Sequence, residues 1–131
     1  MGKALMIAAA VVLGFHGLIH LMGTVAYCRL GEIDGLPYRT TLLGGRLDVG
    51  DGGMMVVGLL WAVAAAGLVT AAAGWLAGWN AWTAVLIPAT LLSLVLTALD
   101  WSMAFRGTMV DVAILALVWI GPRMMPSLAA G

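Results

Sequence analysis

Gly14-Phe15-His16-Gly17-Leu18-Ile19-His20-Leu21-Met22-Gly23 lies in the middle of an apolar run that extends from Ala4 to Tyr27. The run is longer than the roughly 20 residues a helix needs to cross the hydrocarbon of a bilayer. Apart from Tyr27 at its end, its titratable side chains are His16 and His20. Residues three or four apart share one side of a helix, so His16, His20, Gly23 and Tyr27 form a face. The rest of the helix is apolar all round, as in lipid, and the polar face should therefore look inward. Gly14, Gly17 and Gly23 let a second backbone approach closely, which is how membrane helices pack.

Composition extends this reading to the whole chain. Of 131 residues, 63% are hydrophobic and 9% charged, against about 25% charged in soluble domains. Six basic and six acidic side chains cancel. That balance excludes the basic field of a nucleic-acid partner and a polybasic stripe for anionic lipid. The single cysteine, Cys28, excludes an internal disulfide, a CxxC pair and a Cys-rich zinc site. Lys3 precedes the first apolar run in the manner of a leader, but the run is long and Val25-Ala26-Tyr27 offers no small-residue cleavage site. It is read as a retained helix.

Residues 28–52 are the long polar connection, with Arg29, Glu32, Asp34, Arg39, Arg46, Asp48 and Asp51. From Gly52 to Leu99 no charge occurs, a span that suits two crossings broken at Gly74 to Trp82, where glycines, Asn80 and three tryptophans mark an interfacial turn. The helices are expected over about 4–27, 54–73, 81–99 and 102–120. Pro88 should kink the third, Gly121-Pro122 should end the fourth, and residues 124–131 form a short tail. The fold class is all-α, a polytopic transmembrane four-helix bundle in a single membrane domain. Counting basic residues places the long loop in the cytoplasm.

At about 1.5 Å per residue, His20 and Asp111 lie at similar depths below the same surface. His16 sits a turn deeper. An ionised Asp in mid-bilayer costs about 2.5–3.5 kcal/mol on insertion scales, so a His20–Asp111 contact is expected, with His16, Asp100, Arg106 and Tyr27 as further members of a ligand- or proton-binding cluster. Three readings of that cluster stay open. It is a structural clamp between the first and fourth helices; or a titratable site for a proton, ion or small apolar ligand; or a metal or haem site. His16, His20 and Asp111 would be the metal set, two histidines and a carboxylate. HExxH and CxxCH are missing, which excludes zinc-protease chemistry and c-type haem, while a single-histidine b-type haem stays open. Ser93 and Thr90 are expected to bond their own helix backbone. No Ser-His-Asp set can be argued from spacing, and no residue is assigned a catalytic role.

His16 to Gly23, then Gly58-Leu59-Leu60-Trp61, then Trp101-Ser102-Met103-Ala104-Phe105-Arg106-Gly107-Thr108 resemble a group of uncharacterised small bacterial four-helix integral membrane proteins, often loosely labelled transporter permeases. In that group an acidic and a basic residue precede the glycine where this chain has Met103 and Phe105, and Asn is more frequent at the position of Asp111. By architecture the chain is also similar to DoxX-like redox-associated membrane subunits. The resemblance implies a membrane bundle and a bacterial source, and no activity. The resulting expectation is a non-enzymatic multi-pass protein of the bacterial cytoplasmic membrane with a buried His/Asp site. Its partners would be the lipid bilayer and a homo-oligomer or larger membrane complex. The alternatives are an accessory or assembly subunit whose cluster is structural, and a metal or b-type haem redox subunit.

Overall fold

The computed structural model describes residues 2–124; residues 125–131, most of the expected tail, lie outside them. Helix α1 spans Lys3–Tyr27, α2 Gly50–Leu76, α3 Trp82–Leu99 and α4 Trp101–Met124. They pack in chain order, α1 on α2, α2 on α3 and α3 on α4. All four are long and apolar enough to cross a membrane. The chain is an all-α four-helix bundle of the multi-pass membrane type.

Three helix ends differ from the expected bounds, each for a local reason. Helix α2 starts at Gly50 rather than Met54. The Asp48 carboxylate accepts from the Gly50 N–H at 3.0 Å, and Asp51 places negative charge in the first turn, so the exposed N–H groups and the dipole are both answered. The same helix runs past Ala73 to Leu76 and stops where Gly78 adopts φ +75°. There the Trp79 N–H reaches the Gly74 carbonyl at 2.8 Å and the Gly78 N–H reaches Trp75 at 3.1 Å, the paired bonds of a glycine C-cap. Helix α4 continues through Gly121-Pro122 instead of ending there, and the Arg123 guanidinium donates to the Trp119 carbonyl at 2.6 Å. Helix α3 continues through Pro88. A departure from helical geometry falls instead at Ala104 in α4, at φ −122° and ψ 16°.

Residues 28–49 form an ordered cap over one end of the bundle. Strands β1 (Thr41–Leu42) and β2 (Leu47–Asp48) pair antiparallel around a helical turn at Leu43–Gly45. Leu42 enters a core with Ala26, Tyr27, Met54, Trp61, Ala64 and Leu96, while Ile33, Leu36 and Tyr38 pack against it. The Tyr38 hydroxyl donates to Asp51, and that carboxylate holds the phenol above its ordinary value. A second apolar core of Leu13, Leu68, Ala71, Ala72, Leu86 and Ala89 fills the other end.

Glycines set the spacing of α1 and α2. A Cβ at Gly17 would stand 2.9 Å from Leu68 Cβ, and one at Gly23 would stand 2.7 Å from Trp61 Cδ2. These small faces are therefore used inside the chain, and they fix how deep Trp61 reaches beside the histidines.

Candidate functional site

Between the two apolar cores lies a buried polar cluster drawn from three helices. Helix α1 brings His16 and His20, α3 brings Ser93 and Thr97, and α4 brings Asp111. Asp111 and Ser93 are both 0% exposed, and His20 is 2% exposed. His16 Nε2 donates to Asp111 Oδ1 at 2.8 Å. The other carboxylate oxygen, Oδ2, accepts from Ser93 Oγ at 2.6 Å and stands 3.3 Å from Thr97 Oγ1, whose hydrogen has the Ser93 carbonyl nearer at 2.9 Å. Ser93 Oγ also stands 2.5 Å from His20 Nε2. His20 Nδ1 meets the His16 carbonyl at 2.8 Å.

The expected direct His20–Asp111 contact is thus replaced by His16–Asp111, with His20 joined through Ser93. The depth count started α4 near the membrane surface. Asp100, the single residue between α3 and α4, is instead buried at 3% exposed beneath Arg39 of the cap. Helix α4 therefore begins lower, and Asp111 arrives one turn deeper, level with His16.

The donors and acceptors of this chain can be counted. A carbonyl only accepts, so His20 Nδ1 carries a hydrogen. Each of the two contacts of Ser93 Oγ, to Asp111 and to His20 Nε2, needs one hydrogen, and the hydroxyl supplies one of them. The second comes from His20 Nε2–H or from a carboxylic acid at Asp111. A carboxylate, a hydroxyl and a neutral imidazole together are one hydrogen short. With that hydrogen the set is electrically neutral, either as carboxylate and imidazolium or as carboxylic acid and imidazole. Neutrality removes most of the cost of a lone buried carboxylate.

Ser93, His20 and Asp111 do meet, yet not as a hydrolase triad. That chemistry needs the carboxylate on the far nitrogen of the histidine, holding its tautomer. Here that nitrogen sits on the His16 carbonyl, the carboxylate takes the serine hydrogen itself, and the hydroxyl is fully buried.

The ligating atoms of His16, His20 and Asp111 lie within 4.8 Å of one another, so these three are the set that could hold a metal. Their commitments oppose it. Both His20 nitrogens are engaged, and His16 Nε2 stands 2.8 Å from Asp111 Oδ1, closer than the roughly 3.3 Å between two ligand atoms on a tetrahedral zinc. For haem, His16 Nδ1 is the ring nitrogen without a partner among the described residues.

Tyr27 and Asp100 form a second, separate cluster. The Tyr27 hydroxyl and the Arg39 guanidinium both donate to the Asp100 carboxylate. Arg106, expected in the buried group, is exposed and lies over the Phe105 ring at 5.7 Å. Sequence position near Asp100 suggested it, but Arg106 reaches only the lining of the adjoining cavity, while the cap delivers Arg39 to that carboxylate. Ser93, Thr97 and Arg39 were not legible as site residues. A signal for the first two does exist: Thr90, Ser93 and Thr97 make a stripe at helical spacing on an uncharged helix. Thr90 donates to the Leu86 carbonyl at 2.7 Å as expected, whereas Ser93 turns to Asp111.

A cavity of about 440 Å³ adjoins both clusters, between α1 and α4 and beneath residues 34–36 of the cap. His16, His20 and Tyr27 line one side, Gly107 and Val110 the other, with Trp61 and Thr97 behind. The Trp61 indole Nε1 is buried and has no hydrogen-bond partner among the described residues; an unmet donor of this kind costs about 1–3 kcal/mol. No protein-family model, curated protein or solved structure matches this chain.

Proposed function

We propose that the protein is a proton-holding multi-pass protein of the bacterial cytoplasmic membrane, with Asp111, Ser93 and His20 sharing one proton and His16 holding the carboxylate in place. The single observation that carries this reading is the saturation of His20. One of its nitrogens faces an obligate acceptor and the other faces a hydroxyl already committed to a carboxylate. A shift of two hydrogens along Asp111–Ser93–His20 moves the proton between the fourth and first helices without moving a heavy atom. An intramembrane ionisable group of this kind marks a site or path for protons by default. A purely structural clamp would need only hydrogen bonds between neutral groups, worth about 0.6–2 kcal/mol in membranes, and would not need a carboxylate.

Ser93 makes the reading testable. Ser93→Ala breaks the link and should release the shared proton roughly tenfold more readily, equivalent to about 1.4 kcal/mol. Ser93→Thr keeps the hydroxyl and should hold the proton as the native chain does. Proton release from protein in lipid nanodiscs, followed with an indicator dye during a pH titration, measures both. Identical titrations for the native chain and Ser93→Ala would refute the proposal.

A further inference from the structure

We infer that the cavity between α1 and α4 is a binding site for a neutral, lipid-soluble aromatic alcohol. It borders His16 and His20 of the proton-holding cluster but does not rest on that cluster's function. The lips of the cavity are Ile19 and Met22 on α1 and Met103 and Val110 on α4, all exposed on the outer surface of the bundle at 37% or more. Their level on helices that cross the membrane makes the opening lateral, so the occupant arrives from lipid. The volume, about 440 Å³, falls in the range of small-molecule sites, roughly 300–1,000 Å³.

The buried charges beside the cavity are already matched, and the two other charged residues that line it, Asp34 and Arg106, are exposed. Asp100 is held by Arg39 and Tyr27, and Asp111 by His16 and Ser93. An ion in the depth of this space would meet no unmatched buried charge, so the occupant is neutral. Among the described residues that line the cavity, two ring nitrogens have no partner, the Nε1–H donor of Trp61, a residue 6% exposed, and Nδ1 of His16, an acceptor while Nε2–H serves Asp111. The His20 ring stands between them, 4.8 Å from the His16 ring and 5.0 Å from the Trp61 ring. A hydroxyl can donate to His16 or accept from Trp61, and so satisfy one of them. Trp61 and Tyr27, with the adaptable thioethers of Met22 and Met103, favour a flat aromatic body.

The probe is 1-naphthol, titrated into the full-length protein in nanodiscs with empty nanodiscs as the partition control. Saturable binding of one molecule per chain is expected, at least tenfold tighter than naphthalene or 1-naphthoate. Trp61→Phe should weaken it about tenfold, and Val110→Trp, a change at an exposed lip, should abolish it with the helical content unchanged. Absence of saturable binding would overturn the inference. Equal binding by naphthalene, tighter binding by the naphthoate anion, or indifference to both variants would overturn it as well. Ser93→Ala should bind 1-naphthol like the native chain, so failure of the proton reading and failure of this one are separately visible.

Discussion

Asp111→Ala is expected to destabilise the protein by about 2–4 kcal/mol, the sum of two buried donors losing one acceptor. His16 Nε2–H and the Ser93 hydroxyl converge on this carboxylate, and at 0% exposure no water replaces it. The estimate is kept below the simple sum for soluble proteins because interhelical hydrogen bonds in membranes average only about 0.6 kcal/mol. Orphaned donors, rather than lost bonds, supply most of the effect. Asp111→Asn keeps one accepting oxygen and the side-chain shape, so it should cost less than half as much. Unfolding in a denaturing detergent measures both. A loss below about 0.5 kcal/mol for the alanine variant would mean that the three helices do not depend on the carboxylate.

Gly17→Leu should be worse, at least about 3 kcal/mol, beyond the usual range for overpacking. Even a bare Cβ there would stand 2.9 Å from Leu68 Cβ and 3.2 Å from the Val69 backbone nitrogen. Neither atom can rotate away, so α1 has to leave α2. Because His16 and His20 flank Gly17 on the same helix, that movement also draws them from Asp111 and Ser93. Gly14 provides the contrast, since its added Cβ would meet only Ala72 Cβ, at 3.8 Å. Gly14→Ala should change stability by no more than about 0.5 kcal/mol. Comparable losses for the two positions would show that α1 does not press on α2 at Gly17.

The four spans were legible because charge is so sparse between Gly52 and Leu99 and because Gly74 to Trp82 breaks the run where an interface belongs. His16, His20 and Asp111 were legible for the complementary reason, that ionisable groups in hydrocarbon are expensive and seldom stand alone. Their pairing was not. A depth count treats helices as straight rods hung from a common surface, and Asp100, sunk beneath the cap, shifted α4 by a turn. Arg39 could not be foreseen, since residues 28–49 have no periodicity to say which charge folds inward. Nor could the choice made by Ser93. Serine on a helix ordinarily bonds its own backbone, as its neighbours Thr90 and Thr97 do, and only the arrival of α4 offers it a carboxylate.

The proposed proton-holding role requires one hydrogen beyond the ordinary count in the link from Asp111 to His20. Nitrogen-15 resonances of the His20 ring and the carbon-13 resonance of the Asp111 carboxyl, recorded on the same nanodisc sample at neutral pH, test it most directly. The expected result is either a doubly protonated ring beside a carboxylate or a neutral ring beside a carboxylic acid, with Nδ1 protonated in both. A neutral His20 beside an ionised Asp111 in the natively packed protein would contradict it.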